Sequence, residues 1–365
     1  MRIAYGVMGY GRGHATSTAT ILPDLTRKHE VLLLAGRDAY AALSPQYDIV
    51  RIPTFSYVYG RGGRRSILRT FKQNLPAGLD VLLGGPTLAM VMDVIREFGA
   101  DLIISDAEAW TLRAGKRLGI PRITFDHFGI LTHCRPPLAP GDRFEYERDR
   151  WAYGLLLGQP DRVIVSSFYD APPRRPGVRV VGPLVRDDVL RAKPVRGEHL
   201  LAYLNNGAFQ FTHWVEDALK GAGVPVHVYG TQRIGHADNL EFCPPGNQSF
   251  IEDLARCRAA ISTAGNQLVG EALHLGKPLL VMPEACVEQR CNAIAVERMG
   301  IGVQVAHHRL TAEVIRAFLA RGAEFAENIA AAARDGRREA LEAIEDHLHD
   351  LAGARAKPDF IRRVS

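Results

Sequence analysis

The sequence predicts an α/β protein of two Rossmann-like, doubly wound domains that face each other across a cleft. Three observations predict it. Short apolar runs alternate with helical patterns along the whole 365-residue chain. The runs are continuously apolar, which marks strands covered on both faces, as in a parallel sheet between helical layers. The alternation pauses once, over the proline-rich stretch from Asp170 to Pro194, and then restarts. At about 150 residues per domain, the length also suits two.

In chain order, Arg2–Met8 reads as a buried strand, Thr16–Lys28 as a helix and Glu30–Ala35 as the next strand. Asp101–Ser105 is a further strand, with a helix over Ala107–Leu118 behind it, and Arg122–Phe125 and Arg162–Ser166 are two more. Pro172, Pro173, Pro176 and Pro183 then favour extended connections, with one apolar run, Val178–Val181. Beyond them Leu200–Leu204, Val224–Tyr229, Ala259–Ser262 and Pro278–Met282 read as strands, and Leu268–Leu275 as a helix. After Val303 the chain turns helical, with Gly336 as a break. The expected division is a first domain over 1–182, a linker over 183–195, a second domain over 196–345 and a tail over 346–365.

Composition narrows the class. With 47% hydrophobic and 23% charged residues, the chain is neither disordered nor collagen-like. Five cysteines, an odd number without a C-x-x-C pair, exclude a disulfide framework and point to reduced thiols in a cytoplasmic compartment. Forty-five Lys and Arg against 40 Asp and Glu leave a net charge of +5, which welcomes anionic ligands but is not a nucleic-acid footprint. No apolar run approaches the roughly 18 residues of a spanning helix. In the segment from Arg61 to Lys72, Arg61, Arg64, Arg65, Arg69 and Lys72 interleave with Ile67, Leu68 and Phe71. It reads either as a solvated loop and short helix, or as a flap that touches an anionic acceptor or the inner membrane face peripherally.

The first glycine loop, Gly9-Tyr10-Gly11-Arg12-Gly13-His14, follows the first strand. Its glycines let the backbone turn sharply beside a ligand. The spacing is G-x-G-x-G-H rather than G-x-G-x-x-G, which weakens a dinucleotide reading. Arg37, beyond the second strand, keeps an NADP enzyme open. His14 lies at the mouth of the sheet, where an imidazole suits proton abstraction from a hydroxyl. Asp106, at the end of another strand, is either a helix N-cap or the carboxylate that orients His14. Asp126 and His127 close the next strand on the same edge.

In the second half, the run from Ile261 to Leu273 passes from a strand through small residues into a helix. Gly265, Asn266 and Gln267 place free N–H groups where a diphosphate would sit, and Thr263 lies in the turn before them on the donor side. Glu271, a turn further on, suits a ribose diol. Glu288 and Gln289 could read sugar hydroxyls. Asn206 and Gly207 form a polar turn, which is an ordinary turn or part of the same site. Phe250 is either core or a stacking platform for a base.

These motifs resemble the GT-B-fold nucleotide-sugar glycosyltransferases. The resemblance is greatest to the group of family 28 and UDP-glycosyltransferase-like enzymes, which holds the N-acetylglucosaminyltransferase of peptidoglycan synthesis and the plant-type UDP-glucosyltransferases. It rests on the turn before Glu271, then G-x-P-x-L-x-x-P at Gly276–Pro283, then Glu288-Gln289 and Asn292-Ala293, with Gly11–His14 in the first half. The resemblance implies a donor in the second domain. Gly265, Asn266 and Gln267 would contact the diphosphate, Glu271 the ribose, and Glu288 and Gln289 the transferred sugar. His14 would be the general base, backed by Asp106. The acceptor would enter the first domain near Gly11, Gly13, His127, the Arg61–Lys72 segment with Arg61 and Arg64, and the stretch Phe128–Arg135, and the last helix would cross back to that domain. Thr263 stands where many relatives carry His or Arg.

The expected function is an inverting, metal-independent transfer of sugar from a UDP-sugar to a hydroxyl acceptor. No cofactor is expected beyond that co-substrate, and no D-x-D or His cluster marks a metal site. The alternatives are a UDP-N-acetylglucosamine 2-epimerase-like isomerase of the same fold, an NADP-dependent oxidoreductase, and a binding protein without catalysis.

Overall fold

A computed structural model describes residues 1–59, 66–204 and 207–355. The first half folds around a seven-stranded, wholly parallel sheet. Its strands are β1 (Arg2–Val7), β2 (Glu30–Ala35), β3 (Ile49–Arg51), β4 (Leu102–Asp106), β5 (Arg122–Asp126), β6 (Arg162–Ser166) and β7 (Val178–Val181), in the order β3-β2-β1-β4-β5-β6-β7. The central strands are buried at every interior position, as continuous apolar runs require. The chain winds outward from β1 in one direction and from β4 in the other. The switch between them opens a crevice at their carboxyl ends. Register sets the level of that crevice, because Val7 pairs with both Ala35 and Asp106.

Helices α1 (Arg12–Lys28), α2 (Arg37–Leu43), α3 (Ile67–Leu83), α4 (Pro86–Phe98), α5 (Ala109–Leu118), α6 (Gly129–His133) and α7 (Arg143–Leu157) surround this sheet. Helix α1 starts at Arg12, four residues before the expected Thr16, so His14 lies in its first turn. Helix α3 is longer than the short helix expected near Lys72. Pro76 and Gly78 hide its helical pattern in the sequence.

After α8 (Asp187–Arg191), the second half repeats the plan. Its strands are β8 (Leu200–Tyr203), β9 (Val226–Tyr229), β10 (Gly235–Ala237), β11 (Leu240–Phe242), β12 (Ala259–Ser262), β13 (Leu279–Val281) and β14 (Gly302–Gln304), ordered β10-β11-β9-β8-β12-β13-β14. Only the edge pair β10–β11 is antiparallel. The switch point lies between β8 and β12. Their carboxyl ends lead into α9 (Gly207–Gln210) and α12 (Asn266–His274), the two turns singled out in the sequence. Helices α10 (His213–Lys220), α11 (Asn247–Arg256), α13 (Val287–Arg298), α14 (Ala312–Ala320) and α15 (Gly322–Ala332) complete the layers.

The chain leaves the second sheet well before residue 345, where the sequence had placed the boundary. The Gly336 N–H donates to the Pro183 carbonyl at 2.8 Å. A Cβ at Gly336 would fall 2.0 Å from the Gly182 oxygen, so this close crossing requires glycine. Helix α16 (Arg337–Arg355) then lies on the first domain. It buries Ala340, Ala343, Ile344 and Leu348 in one cluster with Ile21, Leu22, Leu25 and Val181. Each fully buried Ile or Leu contributes about 1.5–3 kcal/mol, which outweighs the exposed ion pair of Lys28 with Glu345. The apolar spacing of α16 therefore decides where it docks.

Candidate active site

The glycine loop after β1 is shaped by close packing. A Cβ at Gly9 would meet Thr54 Oγ1 and the Gly36 carbonyl at 2.2 and 2.3 Å. Gly11 has φ +84°, the left-handed region that favours glycine. Its N–H donates to Asp38 Oδ2 at 2.9 Å. That carboxylate takes up an N–H that a phosphate would need, which speaks against a dinucleotide cradle. Arg37 turns to the Tyr10 ring, 6.0 Å away. The oxidoreductase alternative loses its cofactor site on both counts. Around Gly13 the backbone is open, with no atom within 4 Å of a hypothetical Cβ.

The first turn of α1 presents His14 to the end of β4. The Nδ1–H of the neutral ring donates to Asp106 Oδ1 at 2.6 Å, which leaves Nε2 as the proton acceptor. Asp106 is buried, and Thr18 Oγ1 lies 3.5 Å from its other oxygen. It does not cap the helix that follows. Glu108 does, accepting from the N–H groups of Trp110 and Thr111. Burial pulls the His14 pKa down, but the charge and hydrogen bond of Asp106 outweigh it, so the pKa rises above its ordinary value. Phe128 stacks on the imidazole at 5.7 Å with rings 7° from parallel. Next to this dyad, burial and the Asp106 charge push Asp126 up to about 7, although its Oδ1 caps Gly129 N at 2.6 Å.

Across the cleft, β12 turns into α12 through Ala264, a non-glycine residue at φ +65°. This sparsely populated conformation is held in place by Asn292 Nδ2, which donates to the Ala264 carbonyl at 2.9 Å. The first N–H groups of α12 have no partner within the helix and give its N-terminus a partial positive charge. The Ser17 hydroxyl, one turn beyond His14, donates to Gln267 Oε1 at 3.0 Å. That bond joins α1, which carries His14, to the first turn of α12 across the domains.

The remaining sequence-derived residues divide into several groups. Thr263 is buried at the same turn. The side chain of Asn266 accepts from Phe168 N and donates to the Ser166 carbonyl, so it ties the domains together. Glu271 is not the free carboxylate expected for a diol. It is 1% exposed, and its two oxygens each accept from Arg186 at 2.6 Å. Gln267 Nε2 donates to it as well. A buried carboxylate needs such a cation, and Arg186 comes from the linker, a stretch in which no motif marks it. His127, expected on the acceptor side, instead clasps the second domain. Its Nδ1–H donates to the Ser166 carbonyl, and Nε2 lies 3.3 Å from Glu288 and 3.1 Å from Asn292 Oδ1. Burial opposes a charged ring there, but Glu288 outweighs it and His127 is held above its ordinary pKa. Gln289 is buried and accepts from Glu284 N. Gly207 approaches Gly230 so closely that a Cβ would lie 2.1 Å from its carbonyl oxygen. The Phe250 ring meets Tyr203 and Tyr229 edge-on at 5.5 and 5.1 Å, inside its own domain. Arg61, Arg64 and Asn206 lie outside the described residues.

An aromatic wall lines the His14 side, and of its rings sequence reasoning pointed only to Phe128. Tyr10 meets Tyr57 edge-on at 5.3 Å, the Tyr57 and Tyr153 hydroxyls are hydrogen-bonded, and Tyr153 lies 5.2 Å from Phe128. These rings come from four separated segments, which no local pattern joins.

Over residues 1–322, the chain matches the family model described as glycosyl transferase family 1. It belongs to that family. A search of the curated proteins returns no match. Among solved structures, MurG of Acinetobacter baumannii is 17% identical, covering 94% of this chain and 99% of its own, with TM-score 0.64. UGT2 of Phytolacca americana, in complex with UDP-2-fluoro-glucose and pterostilbene, is 15% identical over 96% and 98%, with TM-score 0.66. The spinosyn rhamnosyltransferase SpnG with spinosyn aglycone is 16% identical over 94% and 100%, with TM-score 0.61. At these identities the likeness is one of fold, and the fold is GT-B.

Two other features of this glycosyltransferase lie away from the cleft. A cavity of about 260 Å3, bounded by Val195, Cys257, Lys277 and Phe318, sits at the opposite strand ends. His199, His227 and Asp253 form the one group of metal-ligating type among the described residues. Asp253 Oδ2 there already accepts from His227 Nδ1 at 2.9 Å and from the Tyr229 hydroxyl at 2.6 Å.

Proposed function

We propose that the enzyme is an inverting glycosyltransferase that moves a sugar from a UDP-sugar to a hydroxyl acceptor without a metal ion. The observation that carries this reading is the His14–Asp106 pair facing the α12 N-terminus across the Ser17–Gln267 bond. His14 Nε2 takes the proton from the acceptor hydroxyl as its oxygen attacks the anomeric carbon. The new carbon–oxygen bond forms on the face opposite the breaking one. The electron pair of the old bond leaves with the diphosphate. Asp106 keeps the ring in the right tautomer and stabilises the imidazolium that forms. N–H groups at the start of α12 stabilise the leaving charge, and each such donor is worth about 3 kcal/mol in a site closed to water. Gly265, Asn266 and Gln267 contribute through their backbone, with their side chains committed elsewhere. In this reading Glu271 acts through Arg186, which it holds at the donor wall, and the ribose contact belongs to that pair.

UDP is the donor nucleotide the family resemblance implies; of two GT-B structures of similar extent, one holds UDP-2-fluoro-glucose and the other, VinC, is in complex with dTDP. Calorimetric titration with UDP and dTDP tests the nucleotide. UDP is expected to bind at least 10-fold tighter. The product of an α-linked donor is expected to be the β-glycoside by proton NMR, at a rate unchanged by EDTA. A retained anomeric configuration would refute the displacement, and loss of activity in EDTA would refute metal independence.

A further inference from the structure

The cavity at the opposite strand ends of the second sheet lies on the far side of that domain from the cleft. Ala259 opens β12 there, and Leu275, Gly276 and Lys277, just past the end of α12, form one wall. The linker residues Val195 and Arg196 form a second wall, and Phe318 and Leu319 of α14 a third. Strand β12, four residues at about 3.3 Å each, separates this cavity from the turn into α12, so a donor in the cleft does not reach it. The volume of about 260 Å3 is that of about nine liquid waters, which suits a ligand smaller than a nucleotide sugar.

Three cations meet at this cavity, Arg196, Arg258 and Lys277, and no Asp or Glu is among the described residues that line it. Lys277 is 3% exposed, yet its Nζ donates only to carbonyl oxygens, of Val195 at 2.8 Å and of Cys257 at 2.9 Å. An ammonium has three N–H bonds, so one is left over. Burial pushes the Lys277 pKa down. Arg258 donates from Nη2 to the Leu319 carbonyl at 3.3 Å, and Arg196 is exposed. Among the described residues, none of the three is ion-paired to a carboxylate. A buried cation without a counter-charge is costly. Arg196 and Arg258 also border a second cavity of about 520 Å3, so they stand between the two. Glu198 is the one acid lining that second space, and it pairs with neither arginine among the described residues. The rest of the first cavity is largely apolar, with Leu275, Phe318 and Leu319 all nearly buried. An apolar wall with a few convergent polar groups is the usual lining of a small-molecule site.

We propose that this cavity binds a small organic anion, a carboxylate on an apolar acyl body, at a site separate from donor and acceptor. The carboxylate meets Arg258, Arg196 and the free N–H of Lys277, and the acyl body lies against Leu275, Phe318 and Leu319. Guanidinium groups match a carboxylate through parallel N–H donors, which suits the two arginines to this anion. The bound anion supplies the counter-charge that the chain itself lacks there. It also joins the linker, which carries Arg186, to the end of α12.

The test is calorimetric titration of the full-length protein with octanoate, kept below its micellar range. Inorganic phosphate and 1-octanol serve as controls for charge without a body and body without a charge. Octanoate is also titrated in the presence of UDP, and thermal unfolding shows whether each variant is folded. One octanoate per chain is expected, bound at least 10-fold tighter than phosphate or octanol and not displaced by UDP. Arg196→Gln and Arg258→Gln are each expected to weaken it about 10-fold, with the unfolding midpoint unchanged. Lys277→Gln also loosens the linker, so the two arginine variants decide the outcome. No octanoate binding would overturn the proposal. So would binding that both arginine variants retain, phosphate or octanol bound as tightly as octanoate, or displacement by UDP, which would put the anion in the cleft. A failure of UDP to bind would bear on the donor reading alone.

Discussion

His14 is a stronger base than its surroundings alone would allow. Burial by itself would push the imidazole towards neutrality at low pH, and Asp106 reverses that. In the proposed mechanism the neutral ring is the active form, so kcat/KM is expected to rise as pH climbs through the raised His14 pKa. In Asp106→Asn, burial remains and the compensating charge is gone. The acid limb of the kcat/KM profile is therefore expected to move to lower pH. The plateau is expected to fall by about 10^3–10^4-fold, because an amide no longer selects the productive tautomer. An unchanged acid limb in that variant would mean that another group titrates. His14 and Asp106 were legible in the sequence because each ends or follows a strand, where a parallel sheet delivers its side chains to the ligand edge. His127 lies on that edge as well, yet its ring turns to Glu288. Strand position gives the level of a side chain but not its partner.

At the scale of elements, the apolar runs marked nearly every central strand, while α3 was expected only as a short helix near Lys72 and the β10–β11 hairpin was missed. The reason is physical. Buried parallel strands are continuous apolar runs, whereas α3 mixes an exposed apolar stripe with Pro76 and has no core-facing pattern to reveal it. Helix α12 was also legible, but the state of Glu271 was not, because its cation comes from the distant linker. That pairing has a measurable consequence. Glu271→Ala leaves Arg186 without its counter-charge in a mostly buried place and is expected to cost about 3 kcal/mol in denaturant unfolding. Arg186→Gln combined with Glu271→Gln is expected to cost less than the sum of the two single changes by about 1–3 kcal/mol. Strict additivity would show that the pair is not a unit. Loss of nucleotide binding in Glu271→Ala alone therefore does not identify a ribose contact. It must be compared with the paired variant.

At the scale of the whole molecule, two sheets present their carboxyl edges to one another, and side chains bridge them. Ser17 meets Gln267, His127 meets Glu288, and Arg290 of the second domain pairs with Asp142 and Glu145 of the first. Helix α16 then straps the second half onto the first. These contacts hold the element that carries the proposed base and the helix N-terminus on facing sides of the cleft. The central claim is that His14 supplies the base in that cleft. It is tested most directly by comparing His14→Ala with wild type in two measurements on the same preparations. These are calorimetric UDP binding, and UDP release from UDP-glucose with water and a panel of hydroxyl acceptors. UDP affinity within about 2-fold of wild type, with turnover lowered by about 10^2–10^4-fold, is the predicted result. Turnover equal to wild type with UDP still bound would contradict the account and remove His14 from the chemistry.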